Sequence, residues 1–127
     1  MSAPATPTPD QVLAMMRDKM GDTLPEWPGH LKDLAPDLLV STAQLSQGSV
    51  QRPGSTIPLK YRHLMAVAAA LGRRQASCAR SQARMAVQEG ATSEEVLDAV
   101  RIARHLIAVG VLDAAAPIFR DLVGGED

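Results

Sequence analysis

Apolar residues recur along this chain at intervals of three and four, the period of a helix face, and the blocks that carry this pattern are separated by glycine and proline. The first block is residues 11–20, with Asp10 placed to cap it and Gly21 to end it. Residues 24–29 contain Pro25, Pro28 and Gly29 and read as a turn, followed by a short apolar piece over 31–34. After Pro36 a helix is predicted to about residue 47, with Leu38, Leu39, Ala43 and Leu45 as buried candidates. Residues 48–56, which include Pro53-Gly54, read as a loop.

The second half is more regular. Pro58 suits the first turn of a helix over 59–71, and Gly72 interrupts it. A further helix over 75–88 ends at Gly90. Thr92 and Glu95 have the spacing of a capping box and open a helix over 93–109. Gly110 is expected to break it, with a last helix over 112–123 that Pro117 kinks or restarts. No strand-like run exceeds three or four residues and no internal repeat is visible. The pattern specifies an all-α, single-domain helical bundle over residues 10–127, preceded by a proline-rich disordered tail over 1–9.

Composition supports helices. Of 127 residues 46% are apolar, yet Trp27, Tyr61 and Phe119 are the only aromatics, so Ala, Leu, Val and Met must fill the interior. Thirteen basic and 14 acidic residues nearly cancel. Neither the basic excess of a duplex binder nor the stacking aromatics of a single-strand binder is present, which argues against nucleic acid as partner. The apolar stretches around residues 64–71 and 106–112 fall far short of the roughly 20 residues needed to span a bilayer. One cysteine excludes an intrachain disulfide and a Cys-rich zinc site, and with no signal-peptide pattern it points to a cytoplasmic protein. The three histidines are far apart in sequence, so neither a metal nor another cofactor is expected.

The candidate chemistry lies around Cys78. Gln75, Cys78, Gln82 and Met85 share one helix face, and Leu59, His63, Ala66, Val67 and Ala70 form a stripe on the helix before. An α-hairpin would bring His63 toward Cys78, and an imidazole beside a thiol makes a nucleophile. The alternative is that Cys78 is a small buried hydrophobe and His63 bonds a backbone carbonyl. Arg73 and Arg74 stand at a helix start, where arginine and free N–H groups suit a carboxylate; solvated charges or ion pairs are the alternative. The same alternative covers Arg80 and Arg84, and Arg101, Arg104 and His105 read as a surface salt-bridged to Asp98.

Residues 57–72, then Cys78, then residues 86–100 with Gly90-Ala-Thr-Ser-Glu-Glu-Val96, closely resemble the carboxymuconolactone decarboxylase family, which includes the alkylhydroperoxidase D-like proteins. The resemblance covers about residues 36–120. It implies an all-helical fold that associates through an apolar helical face as a homo-oligomer, a trimer or a hexamer. The apolar, small-residue surface over 106–112 agrees with that. Peroxidase-type members carry a glutamate, then Cys-x-x-Cys, then a histidine four residues on. Counted back from Gly90, Cys78 takes the place of the second cysteine, Gln75 of the first, Gln82 of the histidine and His63 of the glutamate. A sulfenic acid on Cys78 then has no resolving thiol in its own chain. The decarboxylase branch is similar at Gly72-Arg73, but Gln82 again replaces its histidine.

Three functions follow. One is a decarboxylase-like enzyme acting on a small carboxylated or lactone-type substrate, held by Arg73, Arg74, Gln75 and Gln82, with His63 and Cys78 as the catalytic candidates and His63 moving the proton. The second is a single-cysteine redox protein using Cys78. The third is a non-catalytic oligomeric binding or accessory module.

Overall fold

The computed structural model describes residues 5–125. It contains six α-helices: α1 (Pro9–Met20), α2 (Trp27–Leu34), α3 (Pro36–Gln47), α4 (Leu59–Gly72), α5 (Ala76–Gln88) and α6 (Ser93–Gly124). A 3-10 turn, Gly21–Thr23, follows α1, and no strand occurs among the described residues. The first residues of the expected tail, 1–4, lie outside the described residues.

Local chemistry explains where the helices begin. α1 starts at Pro9 and is capped by Thr8: Gln11 N–H donates to Thr8 Oγ1 (3.1 Å) and Thr8 N–H to Gln11 Oε1 (2.9 Å). The expected cap, Asp10, is instead in the first turn, and its carboxylate pairs with Lys32 of α2 at 2.7 Å. The segment expected to be a turn becomes the start of α2, because Pro28 falls in its first turn, where no N–H is required. α6 opens with the expected box: Glu95 N–H donates to Thr92 Oγ1 (3.1 Å) and Thr92 N–H to Glu95 Oε1 (3.0 Å).

The break expected at Gly110 does not occur. α6 is one helix of 32 residues that runs through Gly110 and Pro117. Glycine costs a helix about 1 kcal/mol relative to alanine, but it ends a helix only when turn chemistry follows. Here Val111-Leu-Asp-Ala-Ala-Ala116 follows, and those residues continue the helix. Pro117 deprives the carbonyl of Asp113 of its helical donor, and that part of α6 is exposed, so water reaches it.

Two packed units result. Val12, Leu13, Leu39 and Ala43 form a core between α1 and α3, with Met16, Leu24, Leu31 and Val40 packed against it. α4 packs on α5 and α6, and the buried residues there are mostly small: Ala70, Ala79, Ala86, Ala99 and Ala103, with Val67 and Met85. Alanines at the contact let helix backbones approach closely, which is how a chain with so few aromatics builds an interior. Lys60 of α4 and Glu95 of α6 bridge this unit at 3.2 Å. The Thr92 backbone N–H first, and then Lys60, hold the Glu95 carboxyl below its ordinary value. The hydrogen bond to Glu95 raises Lys60 above its own.

The 3-10 turn joins the units. Buried Ser81 of α5 donates to the carbonyl of Thr23 (3.0 Å), and Arg80 and Arg84 both reach Asp22 (3.2 and 3.0 Å). Gly21 is required there. Its φ is +55°, and a Cβ would lie 2.5 Å from the Arg84 guanidinium.

Beyond Ala103, α6 leaves the bundle. Leu106, Val109, Val111, Leu112, Ile118, Phe119, Leu122 and Val123 are all exposed along it. No helix among the described residues is long and apolar enough to cross a membrane.

Candidate functional site

His63 is the centre of the candidate site. It sits on the buried face of α4 with only 2% of its surface exposed. Its Nδ1 lies 2.7 Å from Gln82 Oε1 on α5, and its Nε2 lies 3.5 Å from Gln51 Nε2 in the loop after α3. An amide oxygen only accepts, so Nδ1 carries the imidazole proton and Nε2 presents a lone pair, an assignment that follows from the network. The short bond fixes the ring and its tautomer. The long one, from a side-chain NH2, holds Nε2 weakly and is readily exchanged for another donor.

The loop is braced to deliver Gln51. Arg62, next to His63 on α4, donates through Nε to the carbonyl of Ile57 (2.7 Å) and through Nη1 to those of Val50 (2.5 Å) and Arg52 (3.3 Å). The backbone N–H of Gln51 bonds the carbonyl of Ser46 at the end of α3 (2.9 Å). Arg62 is therefore a positioning residue for the histidine's second partner.

Two cavities meet around these side chains. One, about 180 Å³, is lined by Met15, Met16, Met20 and Trp27 from α1 and α2, by Thr42, Ser46 and Gln47 from α3, and by Gln51, Gln82 and Met85. The other, about 160 Å³, is lined by His63 itself with Leu59, Gln88 and Glu89. Lys19, Gln51 and Met85 line both. Lys19 makes no ion pair among the described residues.

The other expected residues lie elsewhere. The hairpin folds at Arg73–Arg74, and residues equally far from that turn face each other across it. His63 is much farther from the turn than Cys78, so it meets Gln82 and not the cysteine. Cys78 is exposed, neither buried nor bonded to His63. Arg73, Arg74 and Gln75 are exposed as well, and none of them lines the two cavities. Their backbone N–H groups are not free for an anion. Arg73 and Gln75 N–H donate to the carbonyl of Ala70 (3.2 and 2.9 Å), and Arg74 N–H donates to that of Leu71 (3.0 Å). This is a Schellman closure of α4, with Arg74 left-handed at φ 58° where glycine is usual.

Arg80 and Arg84 are engaged with Asp22, and Arg101 with Asp98 (2.7 Å) and Glu94 (3.6 Å). Among the described residues no group of His, Cys, Asp and Glu is arranged to hold a metal ion. Lys19, Gln51 and Arg62 are the members that sequence reasoning missed. Arg62 and Gln51 adjoin recognisable features, a stripe histidine and a Pro-Gly loop, but nothing in the pattern pairs them.

A search of curated proteins returned no match. Residues 36–121 match the carboxymuconolactone decarboxylase family, a span that holds α3, α4, α5 and all but the last turn of α6, the Gln51 loop, His63 and Gln82 but not α1 or α2. That match covers well over half of the chain, and on it the chain belongs to the carboxymuconolactone decarboxylase family.

Proposed function

We propose that the protein acts on a small carboxylated or lactone-type molecule, with His63 as the proton carrier. The observation that supports this most strongly is a buried imidazole on a cavity wall, with Nδ1–H committed to Gln82 and Nε2 only weakly held. Loss of CO2 from a carboxylated lactone breaks the C–C bond to the carboxylate. The electron pair passes into the conjugated ring, and one proton returns to a ring carbon for each CO2 released. His63 Nε2 takes that proton from solvent at the cavity mouth and hands it on, while Gln82 keeps the ring oriented.

The working unit in this reading is a homo-oligomer, a trimer or hexamer, in the cytoplasm. The exposed apolar length of α6 supports association, because monomeric proteins rarely leave so continuous an apolar surface uncovered. The test is a panel of carboxylated lactones, with CO2 release and proton uptake followed together. The reading expects one proton taken up per CO2, and a rate at least about a hundredfold lower in His63→Gln. No CO2 from any member, or equal rates in the variant, would remove it.

The exposed thiol supports a second reading, in which Cys78 is oxidised by a peroxide and resolved by an outside thiol, with Arg73, Arg74 and Gln75 beside it. The sulfur takes one peroxide oxygen, giving sulfenic acid and an alcohol or water, and two thiols then restore it as a disulfide and water. Peroxide consumption supported by an added thiol, and abolished in Cys78→Ser, is what this reading requires.

A further inference from the structure

The larger cavity beside His63 takes one wall from α1 and α2, the helices outside the family match, and the rest from α3, the Gln51 loop and α5. Its walls are Met15, Met16, Met20 and Met85 with Trp27. Unbranched thioethers adapt to irregular apolar shapes, and an apolar cavity of about 150 Å³ suffices for a six-carbon ring. Its polar lining is neutral except for Lys19, and no carboxylate lines it. Lys19 also has no ion pair among the described residues, whereas Lys32 and Lys60 are both paired. An apolar chamber with one unmatched cation and a few amides selects a molecule with an apolar body and a single negative end.

We infer that this chamber binds a short-chain monocarboxylate of about six carbons, its apolar body among the methionines and Trp27 and its carboxylate on Lys19. Gln51 and Met85 line both cavities, so the ligand's polar end lies at the junction that leads to His63. Glu89 lines only the smaller cavity, and its charge disfavours a second carboxylate on that side. The inference names a substrate class for the site proposed above and rests on that reading for its chemistry, but not for its binding.

Trp27 is the sole tryptophan of the chain and lines the chamber, so its emission reports occupancy directly. The full-length protein is titrated with sodium hexanoate and, separately, with hexan-1-ol. The expected result is a saturable change with hexanoate at least about tenfold tighter than with the alcohol. Lys19→Met abolishes the difference, Lys19→Arg retains it, and circular dichroism shows that both variants stay folded. An absent hexanoate response, equal binding of acid and alcohol, or an unaltered preference in folded Lys19→Met would overturn the inference. Hexanoate binding without CO2 release from any lactone sinks only the decarboxylation reading; the reverse pattern sinks only the chamber assignment.

Discussion

Replacing Gln82 by Met tests the His63 network through stability alone. The substitution keeps the length of the side chain and removes the oxygen that accepts from His63 Nδ1–H at 2.7 Å. His63 is buried, so water cannot take over that bond freely, and a stranded buried donor costs about 1–3 kcal/mol. Part of the cost is relieved if the proton moves to Nε2 and the Gln51 amide turns to accept it, which places the expected loss at about 1–2 kcal/mol. His63→Leu removes the donor and leaves the half-buried Gln82 amide able to reach solvent. Once the histidine is gone, Gln82→Met therefore costs little. The double-mutant cycle is expected to show a coupling of about 1 kcal/mol between the two positions. The assay is urea unfolding of the four proteins at one protomer concentration, with the slope of free energy against denaturant unchanged. Additivity within about 0.5 kcal/mol would refute the argument that this bond organises the site.

Other consequences are as specific. Arg74→Gly relieves a left-handed non-glycine residue in the α4 closure and is expected to stabilise the fold by about 0.5–1 kcal/mol, partly offset by a looser unfolded chain; a melting temperature at or below the parent's would contradict it. Because the carboxyl of Glu95 is held low in the fold, its contribution is present above the unfolded value of about 4.3 and fades as pH falls through the lower folded value. Thermal melts into the acid range should therefore fall less steeply for Glu95→Gln than for the parent. Leu112→Asp places a charge on the exposed apolar part of α6, and light scattering should then show a smaller species than the parent; an unchanged mass would mean that this face is not the association surface.

Most of the helices are legible because they bury residues at helical spacing, such as Leu39 and Ala43, Val67 and Ala70, and Ala99 and Ala103, and Thr92 with Glu95 marks a start as plainly as any residue pair in the chain. Three errors have local causes. Asp10 can cap, but Thr8 with Gln11 satisfies two backbone donors and wins. Pro28 is a turn signal in sequence, yet a helix's first turn tolerates it equally well. Gly110 costs helix propensity and stops nothing without a cap after it.

The site was half legible. His63 and Gln82 stand on faces that sequence spacing identifies, but which α5 residue His63 meets depends on the register set by the Arg73–Arg74 turn. Spacing within one helix says nothing about register across a hairpin, so the sequence leaves open whether His63 meets Cys78; it meets Gln82, and Cys78 is exposed. Lys19, Trp27 and the methionines of α1 reach the site only through the packing of α1 on α3 and α5 and of α2 on α3. No local pattern encodes a cavity.

The most direct test of the account is the tautomer of His63 in solution. Long-range ¹H–¹⁵N spectra of ¹⁵N-histidine-labelled protein, with the His63 signal assigned by its loss in His63→Gln, read both ring nitrogens at neutral pH. The account predicts a protonated Nδ1 and an unprotonated Nε2, with the Nε2 resonance moving when hexanoate is added. A ring protonated at Nε2, or one whose nitrogens do not respond to hexanoate, would contradict it.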